Sequence, residues 1–452
     1  MWQLEVVSGP HAGQSIPLRT GAVRLGRAAS NDIVLADDAT VSGCHAILHC
    51  RNADWTLEDC GSKNGSFLGN GDQRIQIKEE TALTPGQTFY LGAAGLRILA
   101  SAQPRVPPPT QTTTLRVDFS GERLRYHLWS PSATGTEYGC SCSREDLAAL
   151  QRRVLGAVTA QHATGAAGGL DEVAQVIAQH LFPARLAARL AELEGQALVI
   201  SHPPALFGVP WEMLPVAKTP LGIRLPLARQ VVLSDQSIAP LPQASGPSRW
   251  LIIANPTQDL PETQEAAEAL LDAVLTREAD ADVTFIAGER ATRLDLLKRL
   301  EAADVVYYTG HAAHDPEDPP ASGWRLLEGR LTGRDFTRLR RVPAFVFANA
   351  CESGREIAHT SGRLDGDLTA GLAGSLLLAG VRHYLGTHWP VAARPAAVFG
   401  QAVLEGLLAG EEVAVAVQEA RRVIREVFPG APAWAAYALF GEPTWRLPGV
   451  SG

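Results

Sequence analysis

The 452-residue chain is too long for a single hydrophobic core and predicts two or three domains. With 46 % hydrophobic and 19 % charged residues it reads as globular, and a formal net charge of −8 lacks the basic footprint of a nucleic-acid binder. No run is long and apolar enough to span a bilayer and no basic-then-apolar signal opens the chain, so nucleic acid and membrane are not expected partners and the cytoplasm is the expected location.

Residues 1–100 read as all-β. Runs such as QLEVV, VRLG, DIVL, HAILHC, WTLED, FYLG and LRIL are separated by Gly, Asn, Asp and Pro clusters, a spacing that predicts a sandwich. Three stretches fall where a sandwich places its loops: LGRAASNDIVL (25–35), VSGCHAIL (41–48) and GSKNGSFLG (61–69). A phosphate dianion needs fixed donors, which a guanidinium, a hydroxyl and backbone N–H groups supply together. Gly26-Arg27, Ser42-x-x-His45 and Asn64-Gly65, in that order, resemble the forkhead-associated (FHA) domain over essentially all of residues 1–100. The resemblance implies phosphothreonine binding, with Arg27 and Ser42 on the phosphate and Asn64 holding the peptide backbone. Ser30 and Lys63 lie on the same loops and are expected to add contacts. His45 is expected to brace the loops that Gly26 and Gly65 shape. Gly43 stands where many relatives carry a larger basic or polar residue, which implies weaker or broader binding.

SAQPRVPPPTQTTT (101–114), with four prolines and four threonines, reads as a linker. Thr110, Thr112, Thr113 and Thr114 are tethered to the FHA-like module, so a phosphorylated linker threonine docking in cis is one expectation. A linker merely kept solvated by Thr and Pro is the plainer one.

From Leu115 the pattern changes. LRVDF reads as a strand, and REDLAALQRRVLGAV and DEVAQVIAQHLFPARLAARLAELEG repeat apolar residues at helical spacing. ALVISH (197–202) reads as a buried strand. Then strands WLIIAN, DVTFIAG, DVVYYTGH, AFVFANA and VRHYLGTHW alternate with helices that include TQEAAEALLDAVL, TRLDLLKRLE and LTAGLAGSLLLAG. Continuous apolar strands alternating with helices predict an α/β sheet buried on both faces, whose ligands bind at the carboxyl ends of strands. His311 and Cys351 both fall at such ends, about forty residues apart.

A thiol peptidase needs a thiolate, a histidine to protonate the leaving amine, and N–H donors for the oxyanion. Cys351 is the expected nucleophile and His311 the acid–base, with the backbone N–H groups of Ala312 and Cys351 facing the oxyanion. GVPWEMLP, IIANPTQDLPETQEA, VVYYTGHAAHD, VFANACESG, LAGSLLLAGVRHYLGTHWPV and WAAYALFGEP, in that order, resemble the CHAT domain of the caspase, separase and gingipain clan. The resemblance runs from about Leu115 to Trp445. It implies a caspase-like α/β/α sandwich with a non-catalytic half at 115–248 and a catalytic half at 249–452. Two positions depart from the family: Ala312 follows the histidine where glycine is common, and Ala393 stands where relatives often place an acid associated with a basic residue before the cut. Glu352, Asp365 and Asp367 are expected to supply negative charge to the substrate pocket instead, and Trp389 to wall it. Trp211 is expected to pack a core.

The six cysteines, 44, 50, 60, 140, 142 and 351, show no CxxC spacing, so neither a disulfide framework nor a zinc ribbon is expected. His311-x-x-His314-Asp315 has metal-ligand character, but no further cluster completes a site, and neither metal nor cofactor is expected. Only four of the 40 basic residues are lysines and alanine is abundant, a bacterial composition. The resemblances together imply a bacterial cysteine endopeptidase that cuts one protein substrate in stress or defence signalling, recruited or switched by a phosphothreonine-containing protein. The alternative is a non-enzymatic phosphopeptide-binding adaptor with an inactive caspase-like scaffold.

Overall fold

Alternating burial builds the N-terminal sandwich. In the strand Gly21–Gly26, Val23 and Leu25 are buried while Arg24 is exposed, as a sheet with one face on the core requires. The structure is a computed structural model, described here outside residues 1, 13, 19–20, 52–53, 71–72, 84–86, 101–110, 131–132, 165–168, 233–247, 278–280, 352, 355–370 and 449–452. It divides into two compact units, Met1–Arg105 and Val106–Gly452.

In the first unit a six-stranded sheet orders its strands Ser15–Leu18, Trp2–Ser8, Ala94–Ala100, Thr88–Leu91, Ser66–Asn70 and Gln73–Gln76. A five-stranded sheet orders Ile33–Val34, Gly21–Gly26, Ala46–Arg51, Asp54–Asp59 and Thr81–Leu83. Leu4, Val23, Leu48, Trp55, Phe89 and Leu96 belong to their common core.

The second unit is built on one eleven-stranded sheet. From one edge its strands are Ala133–Ser141, Arg123–Ser130, Thr112–Phe119, Ala197–His202, Leu227–Val231 and Tyr437–Phe440. It continues with His383–Thr387, Phe345–Asn349, Val305–Thr309, Arg249–Ala254 and Asp282–Ala287. The halves expected at 115–248 and 249–452 therefore share a single sheet. Tyr437–Phe440 joins them, parallel to Leu227–Val231 and antiparallel to His383–Thr387.

Side-chain periodicity explains the layers. Along Arg249–Ala254, Trp250, Ile252 and Ala254 pack into one apolar cluster and Leu251 and Ile253 into another. The first cluster takes residues from helices Pro261–Arg277, Ala393–Leu408 and Val413–Val427, and the second from Arg293–Ala302 and Leu372–Leu378. A strand buried on both faces needs the uninterrupted apolar run that the sequence shows. Near the other edge, Leu115 and Val117 are buried while Arg116 is exposed, so there only one face carries helices.

Two sequence expectations are corrected here. The 101–114 linker ends early, because Thr112–Phe119 is a strand paired on both sides, with Arg123–Ser130 and Ala197–His202. Thr113 is fully buried and its hydroxyl hydrogen-bonds Gln196 Oε1 at 2.5 Å, so phosphorylation there would break the sheet rather than feed a cis contact. Thr110 lies outside the described residues.

The second unit also buries a charged cluster. Arg229 and Glu212 are both inaccessible; Arg229 Nε donates to Glu212 at 2.8 Å, its Nη2 donates to the other carboxylate oxygen, and Nη1 donates to the Phe207 carbonyl at 2.9 Å. Burial raises the Glu212 pKa, but the charges of Arg229 and Arg421 outweigh it and hold the carboxyl below its ordinary range. Burial pushes His202 and His383 down to about 4 and His388 to about 3, the first and last also by the Arg229 charge. Each histidine is thus neutral when folded but protonates near 6.5 when unfolded, so its contribution is complete above that pH and is lost as pH falls. Urea denaturation at pH 7 and pH 5 is expected to show a loss of about 2 kcal/mol per buried histidine. Equal stability at the two pH values would contradict the burial of these rings as neutral species.

Candidate functional sites

The first constellation lies on the loops between sandwich strands. Gly26 ends its strand where a Cβ would sit 2.3 Å from the Gly43 carbonyl oxygen and 2.7 Å from Asn31 Nδ2, so only glycine permits the approach. Arg27, exposed, donates its backbone N–H to the Ser42 carbonyl at 2.8 Å and its Nε to the Val41 carbonyl at 3.3 Å. Ser42 Oγ accepts the Lys63 backbone N–H at 3.0 Å, and Asn64 Nδ2 donates to the Thr40 carbonyl at 2.8 Å. Arg27, Ser42, Lys63 and Asn64 are thereby brought together, and Ser30 is exposed on the neighbouring Ala28–Asn31 turn.

His45 is buried beneath these loops. Its Nδ1 accepts the Ser42 N–H at 2.9 Å, which leaves Nε2 as the protonated nitrogen facing the Gly65 carbonyl at 3.2 Å. Burial lowers its pKa against the pull of Gly65 and the nearby carboxylates, in keeping with a neutral ring. Gly65 itself takes φ +74°, a left-handed turn suited to glycine. Sequence reasoning missed Asn31, Thr40 and Asp59. Asn31 Nδ2 ties the Ala28 and Gly43 carbonyls at 2.7 and 2.6 Å, and Thr40 Oγ1 accepts the Ala93 N–H at 2.9 Å. Asp59 accepts the N–H groups of Gly61 and Ser62 and the hydroxyls of Ser62 and Ser66, all within 2.8 Å. Burial raises its pKa, yet these bonds outweigh it and keep the carboxyl below its usual range. An Asp or Asn immediately ahead of a Gly- and Ser-rich loop is the signal that marks such turns.

The second constellation lies at the carboxyl ends of two neighbouring parallel strands. Val305–Thr309 pairs with Phe345–Asn349 in register, ending at Thr309↔Asn349, and His311 and Cys351 each follow two residues later. His311 is held through its backbone: its carbonyl accepts the Arg325 N–H at 2.8 Å and the Tyr308 hydroxyl at 2.5 Å. The bond from Arg325 makes Ala312↔Trp324 a non-hydrogen-bonded pair of the small antiparallel sheet, so the Ala312 N–H points away from the ladder.

The Cys351 turn is braced from the adjoining strand. Thr387 Oγ1 donates to the Ala350 carbonyl at 2.7 Å, and Ser353 Oγ donates to the Ala348 carbonyl at 2.8 Å while accepting the Thr387 N–H at 3.1 Å. Gly354 backs onto this strand, where a Cβ would meet the Gly386 carbonyl carbon at 3.1 Å. The Cys351 thiol is partly buried and contacts the Val391 carbonyl at 3.7 Å.

Asp259 is the residue here that sequence reasoning did not single out. His311 Nε2 lies 3.0 Å from Asp259 Oδ2, and the Thr257 hydroxyl donates to the other carboxylate oxygen at 2.5 Å. That hydroxyl, joined by the His311 contact, overcomes slight desolvation and holds the Asp259 carboxyl below its ordinary range. An ionised carboxylate only accepts, so Nε2 is a protonated nitrogen that faces Asp259. Asp259 reaches the ring from a loop in which Asn255 and Gln258 adopt φ of +43° and +64°, conformations that cost non-glycine residues energy. Asn255, buried, offsets this by accepting the Leu260 N–H at 2.9 Å through its side chain.

The remaining pocket residues divide. Trp389 is 1 % exposed with its indole N–H on the Pro432 carbonyl at 3.3 Å, so it fills the core and does not wall a groove. Trp211 is fully buried and stacks on Phe182. Glu352, Asp365 and Asp367 lie outside the described residues. Ala393 is the first residue of the helix Ala393–Leu408, and Arg394 sits 5.9 Å from the Phe428 ring.

The CHAT domain sequence profile matches residues 171–442, more than half of the chain. The chain belongs to the CHAT family. The profile described as the inner membrane component of T3SS, cytoplasmic domain, matches residues 5–102 ahead of the CHAT region. Over 76 residues the chain is 40 % identical to the FHA domain-containing protein FhaB of Mycolicibacterium smegmatis, a match covering 17 % of this chain and 48 % of FhaB. The chain thus spans about half the length of that relative. It is also 26 % identical over 218 residues to mouse separin, covering 47 % of this chain and 9 % of separin. The Saccharomyces cerevisiae separase–securin complex matches 74 % of this chain and 30 % of that one, with a TM-score of 0.51 at 14 % identity. An FHA-like sandwich followed by a separase-like, caspase-like α/β fold is therefore the architecture. No helix among the described residues is long and apolar enough to cross a membrane.

Ser353→Ala removes both hydrogen bonds of a buried hydroxyl from the CHAT turn and strands the Thr387 N–H. A loss of about 1–3 kcal/mol is expected in denaturant titration of the full chain, and a loss below 0.5 kcal/mol (roughly a neutral surface change) would contradict this bracing.

Proposed function

We propose that the protein is a cytoplasmic cysteine endopeptidase that cuts a protein substrate and is recruited or regulated through phosphothreonine recognition by its FHA-like unit. The observation that carries the peptidase reading is the His311 ring at the end of a strand adjacent to that of Cys351, with its Nε2 engaged by Asp259. With the proton on Nε2, Nδ1 is the nitrogen that takes the Cys351 thiol proton. The thiolate then attacks the scissile carbonyl, and the N–H groups of Ala312 and Cys351 receive the developing oxyanion. The imidazolium, stabilised by Asp259, returns the proton to the leaving amine. Water, deprotonated by the same ring, releases the acyl group. Asp259 acts as a positioning residue, since it would reach the reaction only through His311.

The reader function rests on the exposed Arg27 guanidinium beside Ser42 and Lys63, with Asn64 next to them, and on the likeness to an FHA domain-containing protein. A phosphorylated partner in trans fits better than the linker in cis, because Thr112, Thr113 and Thr114 belong to a strand. Negative charge for a specificity pocket would come from Glu352, Asp365 or Asp367.

An acyl-oxymethylketone peptide library is expected to label wild type at Cys351, with labelling lost in Cys351→Ala and slowed about 10²–10⁴-fold in His311→Ala. No labelling by any member, or labelling that survives Cys351→Ala, would favour the adaptor reading. Calorimetry with a phosphothreonine peptide library is expected to find binders that lose at least about tenfold in affinity in Arg27→Ala. Binding indifferent to Arg27 would refute the assignment of the phosphate site.

A further inference from the structure

We propose that Cys44 and Cys60 are a dithiol couple that a small-molecule disulfide oxidises to a reversible cross-link, locking together the two sandwich loops that carry Ser42 and Lys63. The two thiols are 16 positions apart in sequence, both exposed, with their sulfurs 3.5 Å apart. That is van der Waals contact, and a covalent bond of about 2.05 Å needs only a modest further approach. The Cys60 N–H donates to the carbonyl of His45, the residue after Cys44, at 3.0 Å, which holds the two segments side by side. Each cysteine borders a functional loop: Cys44 stands between Gly43 and His45, and Cys60 between Asp59 and Gly61. The loops are joined beyond the sulfurs by the Lys63 N–H on Ser42 Oγ.

The reaction is two successive thiol–disulfide exchanges. Cys44, as thiolate, attacks one sulfur of the oxidant and expels one small thiol. Cys60 then attacks the Cys44 sulfur of the mixed disulfide and expels the second. The oxidant's S–S bond breaks, the Cys44–Cys60 bond forms, two electrons pass to the oxidant, and both thiol protons end on the released thiols. Partial desolvation of the sulfur, with Cys44 and the carboxylates of Asp59 and Glu58, pushes the Cys60 thiol up to about 11.

The couple stands on geometry alone, whereas its effect on phosphopeptide binding rests on the function proposed above. The test treats the 452-residue Cys351→Ala chain, in which the proposed nucleophile is absent, with oxidised glutathione. A loss of two hydrogens, a cross-linked peptide joining Cys44 to Cys60, and reversal by dithiothreitol are expected. Amide exchange at Lys63 is expected to slow by about tenfold or more in the oxidised form. Cys44→Ser and Cys60→Ser, each checked for folding by exchange in the strand Ala46–Arg51, are expected to give no cross-link. A glutathione adduct that persists at Cys44, or a cysteine paired elsewhere, would overturn the couple. A cross-link that leaves Lys63 exchange unchanged would overturn the lock. A reduced chain that binds no phosphopeptide, with the cross-link still forming, would count against the reader function and not against the dithiol.

Discussion

The side chain of Asn349 ends a strand inside the protein, and the candidate peptidase site depends on how that amide is satisfied. Its Nδ2 donates to the Tyr307 hydroxyl at 3.1 Å and to the Ala396 carbonyl at 2.9 Å, while its Oδ1 accepts the Tyr437 hydroxyl at 2.7 Å. A buried amide without partners costs roughly 1–3 kcal/mol per group, so these bonds set where the strand ends against a helix, the adjacent strand Val305–Thr309 and the strand Tyr437–Phe440 two places away. Cys351 leaves the sheet two residues further on. Its turn inherits that placement and is then fixed by Thr387 and Ser353. His311 is treated alike one strand over, where Tyr308 stacks on Trp324 at 4.3 Å and spends its hydroxyl on the His311 carbonyl. Backbone geometry at both strand ends is thus set by buried aromatic and amide groups, leaving the thiol and the ring partly exposed.

Much of this was legible in the sequence because burial on two faces leaves a simple trace. Strands such as Arg249–Ala254 and Phe345–Asn349 must be apolar at every position, and the helices between them keep helical spacing. His311 and Cys351 could be located because a strand's end is where its apolar run stops. Asp259 could not, since its approach to His311 depends on two non-glycine residues at positive φ, a conformation that no residue type there announces. An aromatic such as Trp389 suits a groove wall and a core equally well by residue type, and burial decides for the core. At Thr112 to Thr114 the adjacent prolines mask the β-propensity of threonine, which pairing with the two flanking strands expresses. The approach of Cys44 to Cys60 leaves no trace in their spacing, because it depends on two loops converging.

The shared sheet gives the N-terminal half of the second unit a physical role. Arg229 belongs to the Leu227–Val231 strand, pairs with Phe440 across the junction, and neutralises Glu212 of the GVPWEMLP stretch. Breaking that pair would leave a buried charge, at a cost of about 3–5 kcal/mol, at the place where the two halves meet. The C-terminal half is therefore continuous with its companion, and the buried histidines belong to this same unit.

In the proposed peptidase, Asp259 sets the His311 tautomer and His311 in turn activates Cys351. The most direct measurement is the pH profile of Cys351 alkylation by iodoacetamide, read by peptide mapping in wild type and in Asp259→Asn. The expected wild-type alkylation midpoint lies below the free-thiol value of about 8.5 and moves upward in Asp259→Asn. A wild-type midpoint at the free-thiol value, unchanged in the variant, would contradict it.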